Sequence, residues 1–203
     1  MPLYNQAIKL DRNAAAAYFG RACVWEEFGK MEKALADFTS AINIEKPFHE
    51  PAMRLRGDLY QSLRRYEDAI RDYSKVINLH PTDGLYFSRA TCHLRLNKPA
   101  LAVSDYNEAL KIAGPRASIF EKRGDAYFVL KQDAKALADY EKALKLDPEG
   151  DESKDGHEHL HKTRAEIYKR LGKMDLYKKE AAAAAVGRNA NIDLAPFASD
   201  QIK

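Results

Sequence analysis

Apolar residues recur along this chain at helical spacing, in segments separated by short polar turns. Phe120, Gly124, Tyr127 and Phe128 share one face of a predicted helix, and Ala136, Tyr140, Ala143 and Leu144 share one face of the next. Gln132-Asp133 marks the turn between them, as Gly29-Lys30 and Gly172-Lys173 do for two other helix pairs. Pro81 and Pro148 stop second helices, because proline has no amide proton to continue the ladder.

The pairs repeat. Units begin near Ala15, Glu50, Asp83 and Ala117, at spacings of 35, 33 and 34 residues, and a divergent fifth begins near Glu158. The expected organisation is a lone second helix over 1–14, four repeats over 15–49, 50–82, 83–116 and 117–150, an insertion over 151–157, the fifth repeat over 158–191 and a tail over 192–203. Ala22, Gly57, Ala90, Gly124 and Ala165 occupy one point of the first helices, and Ala34, Ala69, Ala102 and Ala136 one point of the second. Small side chains there let paired helices approach to about 8–10 Å. Trp25, Tyr60, Tyr127 and Tyr168, with Phe38, Tyr73, Tyr106 and Tyr140, are expected to fill the gaps beside them. In the fifth unit Tyr177 and Ala181 reverse the small-then-large order, and His93 stands where other first helices carry Trp or Tyr.

Spacing, small positions, aromatic positions and terminal prolines together resemble the tetratricopeptide repeat family over about nine tenths of the chain. The resemblance implies an all-α fold, a right-handed α-solenoid of stacked antiparallel helix pairs. Tyr4, Ala7, Ile8, Leu10 and Asp11 resemble the second helix of a preceding unit, so the chain is expected to be a fragment or to start with a capping helix.

An arginine precedes the small first-helix residue of every unit, with an acid sixteen residues later: Arg21 and Asp37, Arg56 and Asp72, Arg89 and Asp105, Arg123 and Asp139, Arg164 and Glu180. The offset spans the turn, so these are expected to be partly buried ion pairs that fix helix register.

The resemblance also implies a partner site, since first helices of this family line the concave face. The expected lining is Phe19, Cys23, Glu26 and Glu27, then Arg54, Asp58 and Gln61, then Phe87, Thr91 and Arg95, then Glu121, Lys122, Asp125 and Phe128, then Lys162, Lys169 and Arg170. Such a surface suits a partner protein or an extended peptide of mixed character. Some family members clamp the acidic C-terminal peptide of heat-shock chaperones with Lys, Asn and Arg. Here Phe19 and Cys23, then Leu55, occupy those places; counted from the second unit, only Arg54 and Lys122 suit, which argues against that ligand.

Other chemistry finds little footing. His157-Glu158-His159-Leu160-His161 matches the zinc-protease pattern but has no third ligand at a recognised spacing, so neither catalysis nor a metal site is expected. Asp151 to Gly156 starts like a calcium loop, yet Lys162 holds the place of the bidentate Glu. Ser40 and Ser104 lack a nearby His and acid, and Cys23 is an isolated thiol. No cofactor is expected. The reading is a non-enzymatic adaptor; the alternatives are a self-assembling structural protein through stacking of repeat ends and, remotely, a zinc hydrolase.

Charge is unevenly spread: zero net over 1–156, +4 over 157–188 and −1 over the last fifteen residues, for a total of +3. That is too little to imply nucleic acid. No apolar run reaches the length of a membrane span, and no signal peptide is visible. Two cysteines, Cys23 and Cys92, fit a reducing, cytoplasmic setting. Ile192, Leu194 and Phe197 are unusual for a free tail, so the tail is expected to cap the last helix, with disorder and docking in a groove as the alternatives.

Overall fold

The computed structural model describes residues 1–45, 49–148 and 157–189. The insertion, apart from His157, and the tail lie outside them. The described chain is helical, with no strand among the described residues, and divides into two compact units, Met1–Gly114 and Pro115–Lys203.

The first unit holds α1 (Pro2–Leu10) and three helix pairs: α2 (Ala15–Glu27) with α3 (Met31–Ile44), α4 (Glu50–Ser62) with α5 (Tyr66–Ile77), and α6 (Asp83–Arg95) with α7 (Pro99–Ala113). Each pair packs against the next, α3 on α4 and α5 on α6, and α1 packs on α2. The second unit holds α8 (Ala117–Val129) with α9 (Asp133–Leu146) and α10 (Glu158–Arg170) with α11 (Met174–Asn189).

One turn is repeated five times. Gly29, Arg64, Asn97, Lys131 and Gly172 all take positive φ, between 55° and 70°. Each lets the next amide reach back over the end of the first helix: Lys30 to Trp25 O, Arg65 to Tyr60 O, Lys98 to His93 O, Gln132 to Tyr127 O and Lys173 to Tyr168 O, at 2.8–2.9 Å. In the fourth pair the residue that turns the chain is thus Lys131, one place before the expected Gln132-Asp133, and Asp133 already opens α9. Two starts carry side-chain caps: Thr82 accepts from the Leu85 amide at 3.3 Å, and His49 Nδ1 accepts from the Ala52 amide at 3.2 Å.

The cores follow the small-against-large pattern. Phe38, Tyr73 and Tyr106 are fully buried in the first unit, and Tyr140 in the second. Burying such a ring stabilises by about 1.5–3 kcal/mol. Ala22, Ala34, Ala69, Ala90, Ala102 and Ala136 are fully buried as well. Gly57 and Gly124 are glycines for want of room: a Cβ would lie 2.9 Å from the Tyr73 ring and 2.6 Å from the Tyr140 ring.

Arginines tie the pairs together. Nε and Nη2 of Arg21, Arg56, Arg89 and Arg123 each donate to the two carboxylate oxygens of Asp37, Asp72, Asp105 and Asp139, at 2.6–2.8 Å. In the first unit Nη1 reaches the preceding second helix: Arg21 to Asn5, Arg56 to Thr39, Arg89 to Ser74. One guanidinium thus fixes register within a pair and between pairs. The fifth pair is wired differently. Arg164 Nη2 meets Glu180 at 3.0 Å, His161 Nδ1 meets the same carboxylate at 2.7 Å, and buried Arg164 Nε has no hydrogen-bond partner.

Candidate functional site on the first helices

None of the seventeen expected lining residues is buried. They stand on α2, α4 and α6 in the first unit and on α8 and α10 in the second.

In the first unit, buried tyrosines hold this face from beneath. The Tyr73 hydroxyl donates its proton to Asp58 Oδ1 at 2.8 Å, and the Gln61 side-chain amide lies 2.8 Å from the same hydroxyl oxygen. The Tyr106 hydroxyl lies 3.2 Å from Thr91 Oγ1. In the first pair the second-helix ring is Phe38, which offers no hydroxyl, and the facing residue is Cys23. The pairs Cys23–Phe38, Asp58–Tyr73, Thr91–Tyr106 and, in the second unit, Asp125–Tyr140 share an offset of fifteen residues. That offset was available in the sequence and was missed.

Asp58 is the electrostatic centre of the first unit's face. Arg54 Nη1 donates to it at 3.3 Å. Burial and the Asp58 charge raise the Glu26 carboxyl above its ordinary range. Burial, followed by Asp58, raises the Tyr73 hydroxyl and pushes the Cys92 thiol up to about 12. Burial and Glu26 raise Cys23. Glu27 and Arg95 are exposed. Phe19 stacks on His49, with centroids 4.8 Å apart, and tilts against Phe38 at 6.0 Å; Phe87 meets Tyr106 edge-on at 5.6 Å. His93, in the place of an aromatic, lies 3.8 Å from Asp105, and burial lowers its pKa.

In the second unit the corresponding acid is Asp125. It accepts from the Tyr140 hydroxyl at 2.9 Å, and Lys122 Nζ lies 3.5 Å from it. Lys122 also donates to Glu121 at 2.6 Å. Burial pulls Lys122 down, but the two acids outweigh it and raise it. His159 Nε2 lies 2.9 Å from Asp125 Oδ1, and that hydrogen bond raises the His159 pKa. His159 thus joins this face, although the sequence pointed to it only through the zinc pattern. The other members of that pattern diverge, His157 to the Asp147 carbonyl and His161 to Glu180. Among the described residues no group of three His, Cys, Asp or Glu is placed to hold a metal ion. Arg170 covers the Phe128 ring at 5.2 Å and donates to Asp133. Lys162 pairs with Glu158, and Lys169 lies 6.0 Å from the Tyr177 ring. Ala181 leaves open the place that an aromatic ring fills in the other pairs. A cavity of about 380 Å³ lies there, lined by Lys162, Ala165, Glu166, Lys169, Tyr177, Ala181, Ala184 and Ala185.

No helix among the described residues is long and apolar enough to cross a membrane.

Known proteins match this arrangement. Family profiles described as tetratricopeptide repeat cover residues 2–50 and 54–118, and 117–149. DnaJ homolog subfamily C member 7 from Homo sapiens is 31% identical over 84 residues, 39% of this chain and 17% of that protein. The chain thus spans less than a fifth of that relative. The structure of YrrB, described as a TPR protein with an unusual peptide-binding site, superposes with a TM-score of 0.76 at 17% identity, covering 93% of this chain and 94% of that one. The first TPR of Spaghetti (RPAP3), bound to the HSP90 peptide SRMEEVD, superposes with a TM-score of 0.54 at 27% identity, over 61% of this chain and 93% of that one. The profiles cover most of residues 2–149, well over half of the chain, and the first four helix pairs carry the family's small and aromatic positions in place: the chain belongs to the tetratricopeptide repeat family.

Proposed function

We propose that this chain is a non-enzymatic adaptor that holds a partner protein or an extended peptide segment in the concave groove lined by its first helices. One observation carries the reading: the exposed faces of the first helices are pre-set by buried tyrosine hydroxyls. Tyr73 fixes Asp58 and Gln61, and Tyr140 fixes Asp125. Side chains already held in place lose less freedom when a ligand arrives, which favours binding. YrrB, with its peptide-binding site, and the peptide-bound RPAP3 repeat support the class of ligand.

The acidic chaperone tail fits poorly. Phe19 stacks on His49 where a clamp would need a cation, and Lys122 is engaged by Glu121 and Asp125. The two free cysteines, with the Cys92 thiol fully buried, support a reducing compartment such as the cytoplasm. Pull-down of a co-purified partner with Arg54→Glu, Lys122→Glu and Asp125→Lys tests the groove. Binding is expected to fall with at least one swap; unchanged capture by all three contradicts it.

A second reading, self-association, is favoured by α1, whose Leu3 and Leu10 are about four-fifths exposed, at 79% and 81%. Light scattering at high concentration decides it: a monomer removes the reading.

A further inference from the structure

Seven arginines lie between the start of α4 and the end of α6. Five meet acids: Arg54 meets Asp58, Arg56 meets Asp72, Arg65 and Arg71 share Asp68, and Arg89 meets Asp105. Arg64 and Arg95 make no ion pair or hydrogen bond with the side chain of another described residue. These two line one cavity of about 440 Å³, together with Gln61, Ser62 and Tyr66. The lining contains no acid.

The cavity forms because the chain turns there. Gln61 and Ser62 end α4, Arg64 is the left-handed turn residue, Tyr66 opens α5, and Arg95 ends α6. The C-terminal ends of α4 and α6 offset part of the positive charge, about half a unit each, so roughly one full charge remains. Neutral residues complete the lining: the Gln61 side-chain amide, held 2.8 Å from the Tyr73 hydroxyl, with Ser62 and Tyr66. Two guanidinium forks beside neutral polar residues match a tetrahedral dianion better than a single carboxylate. The volume exceeds what a bare ion needs and leaves room for the side chain that carries it.

We propose that this cavity is an oxyanion site that takes the phosphate of a phosphorylated serine or threonine on a partner segment. It rests on the groove reading above, because Gln61 and Arg95 belong to the same first-helix face, and it adds a requirement for the partner's modification. A phosphate there gains charge-assisted hydrogen bonds that an unmodified hydroxyl lacks.

The test is an NMR titration of the full chain with three probes at matched ionic strength: acetyl-Gly-phosphoserine-Gly-amide, the same peptide with unmodified serine, and inorganic phosphate. The phosphopeptide is expected to give saturable shifts at the Arg64 and Arg95 Nε–H resonances and at the amides of residues 61–66. Arg64→Gln and Arg95→Gln are each expected to weaken it about tenfold, and Arg12→Gln to leave it unchanged. Three results overturn the proposal: no saturation by roughly 20 mM phosphopeptide, equal losses in all three variants, or inorganic phosphate binding as tightly as the phosphopeptide. The groove reading fails separately. Silence in this titration with Arg54→Glu still abolishing partner capture removes the phosphate site alone.

Discussion

Arg56 grips Asp72 through two parallel hydrogen bonds of 2.8 Å and gives a third donor to Thr39 of the preceding helix pair at 2.9 Å. Burial pulls this guanidinium down, but the hydrogen bond and charge of Asp72, with Tyr60 and Asp68 assisting, raise it overall. Removing the acid strands a largely buried cation. Asp72→Ala is expected to cost about 3 kcal/mol or more, and Thr39→Ala about 1 kcal/mol. Arg56→Met combined with Asp72→Leu is expected to cost much less than Asp72→Ala alone, because no charge is left unpaired. Chemical denaturation of the three variants decides it; a double variant as damaged as the single one contradicts the pairing.

The glycines beneath the tyrosines are set by space. Gly124→Ala would place a Cβ 2.6 Å from the Tyr140 ring, which is fully buried and has nowhere to move. A loss of about 1–3 kcal/mol is expected in denaturant unfolding. A change within about 0.5 kcal/mol, the range of ordinary surface substitutions, contradicts that account.

Lys131 holds the left-handed turn at φ 59°, where Gly29 and Gly172 serve in other pairs. Lys131→Gly is expected to raise stability by about 0.5–1 kcal/mol, because the strain of a side chain at positive φ outweighs the extra freedom of an unfolded glycine. Gly29→Ala is expected to lower stability. The two thermal midpoints should therefore move in opposite directions.

His159 gains affinity for its proton from Asp125, with Lys122 opposing and Glu121 assisting. A histidine whose folded pKa is raised contributes its full stability below the ordinary value near 6.5 and loses it as pH rises through the raised value. Stability should therefore fall as pH rises above about 6.5 in the native chain relative to His159→Gln. An NMR titration that places His159 below 6.5 contradicts this.

Cys92 is fully buried, with its thiol pushed up to about 12 by burial and by Asp58. Native protein at neutral pH is expected to leave Cys92 unmodified by a thiol reagent, while denatured protein reacts at both cysteines. Mass spectrometry of the labelled chain reads this directly.

Much of this fold was legible because its packing repeats. A buried ring needs a small neighbour, so Ala22 with Phe38 and Gly57 with Tyr73 leave a periodic mark. The Arg56–Asp72 grip leaves another, since both partners must recur together. Arg64 and Lys131 were harder to see as turn residues. Their left-handed geometry comes from the helix ends around them and not from any preference of their own. His159 was read within a metal pattern because its partner, Asp125, lies thirty-four residues away on another helix. The fifth pair hid part of its wiring for a similar reason: His161 joins Arg164 on Glu180, each at its own carboxylate oxygen, a contact across two helices that no single-helix periodicity records.

The central claim concerns which face meets the partner. A photo-crosslinking amino acid placed at Thr91, on the first-helix face of α6, and separately at exposed Lys75 on α5, compares two faces of the same unit. Capture of the partner from position 91 and not from position 75 is the predicted result. Capture from position 75 alone, or equally from both, would contradict the account.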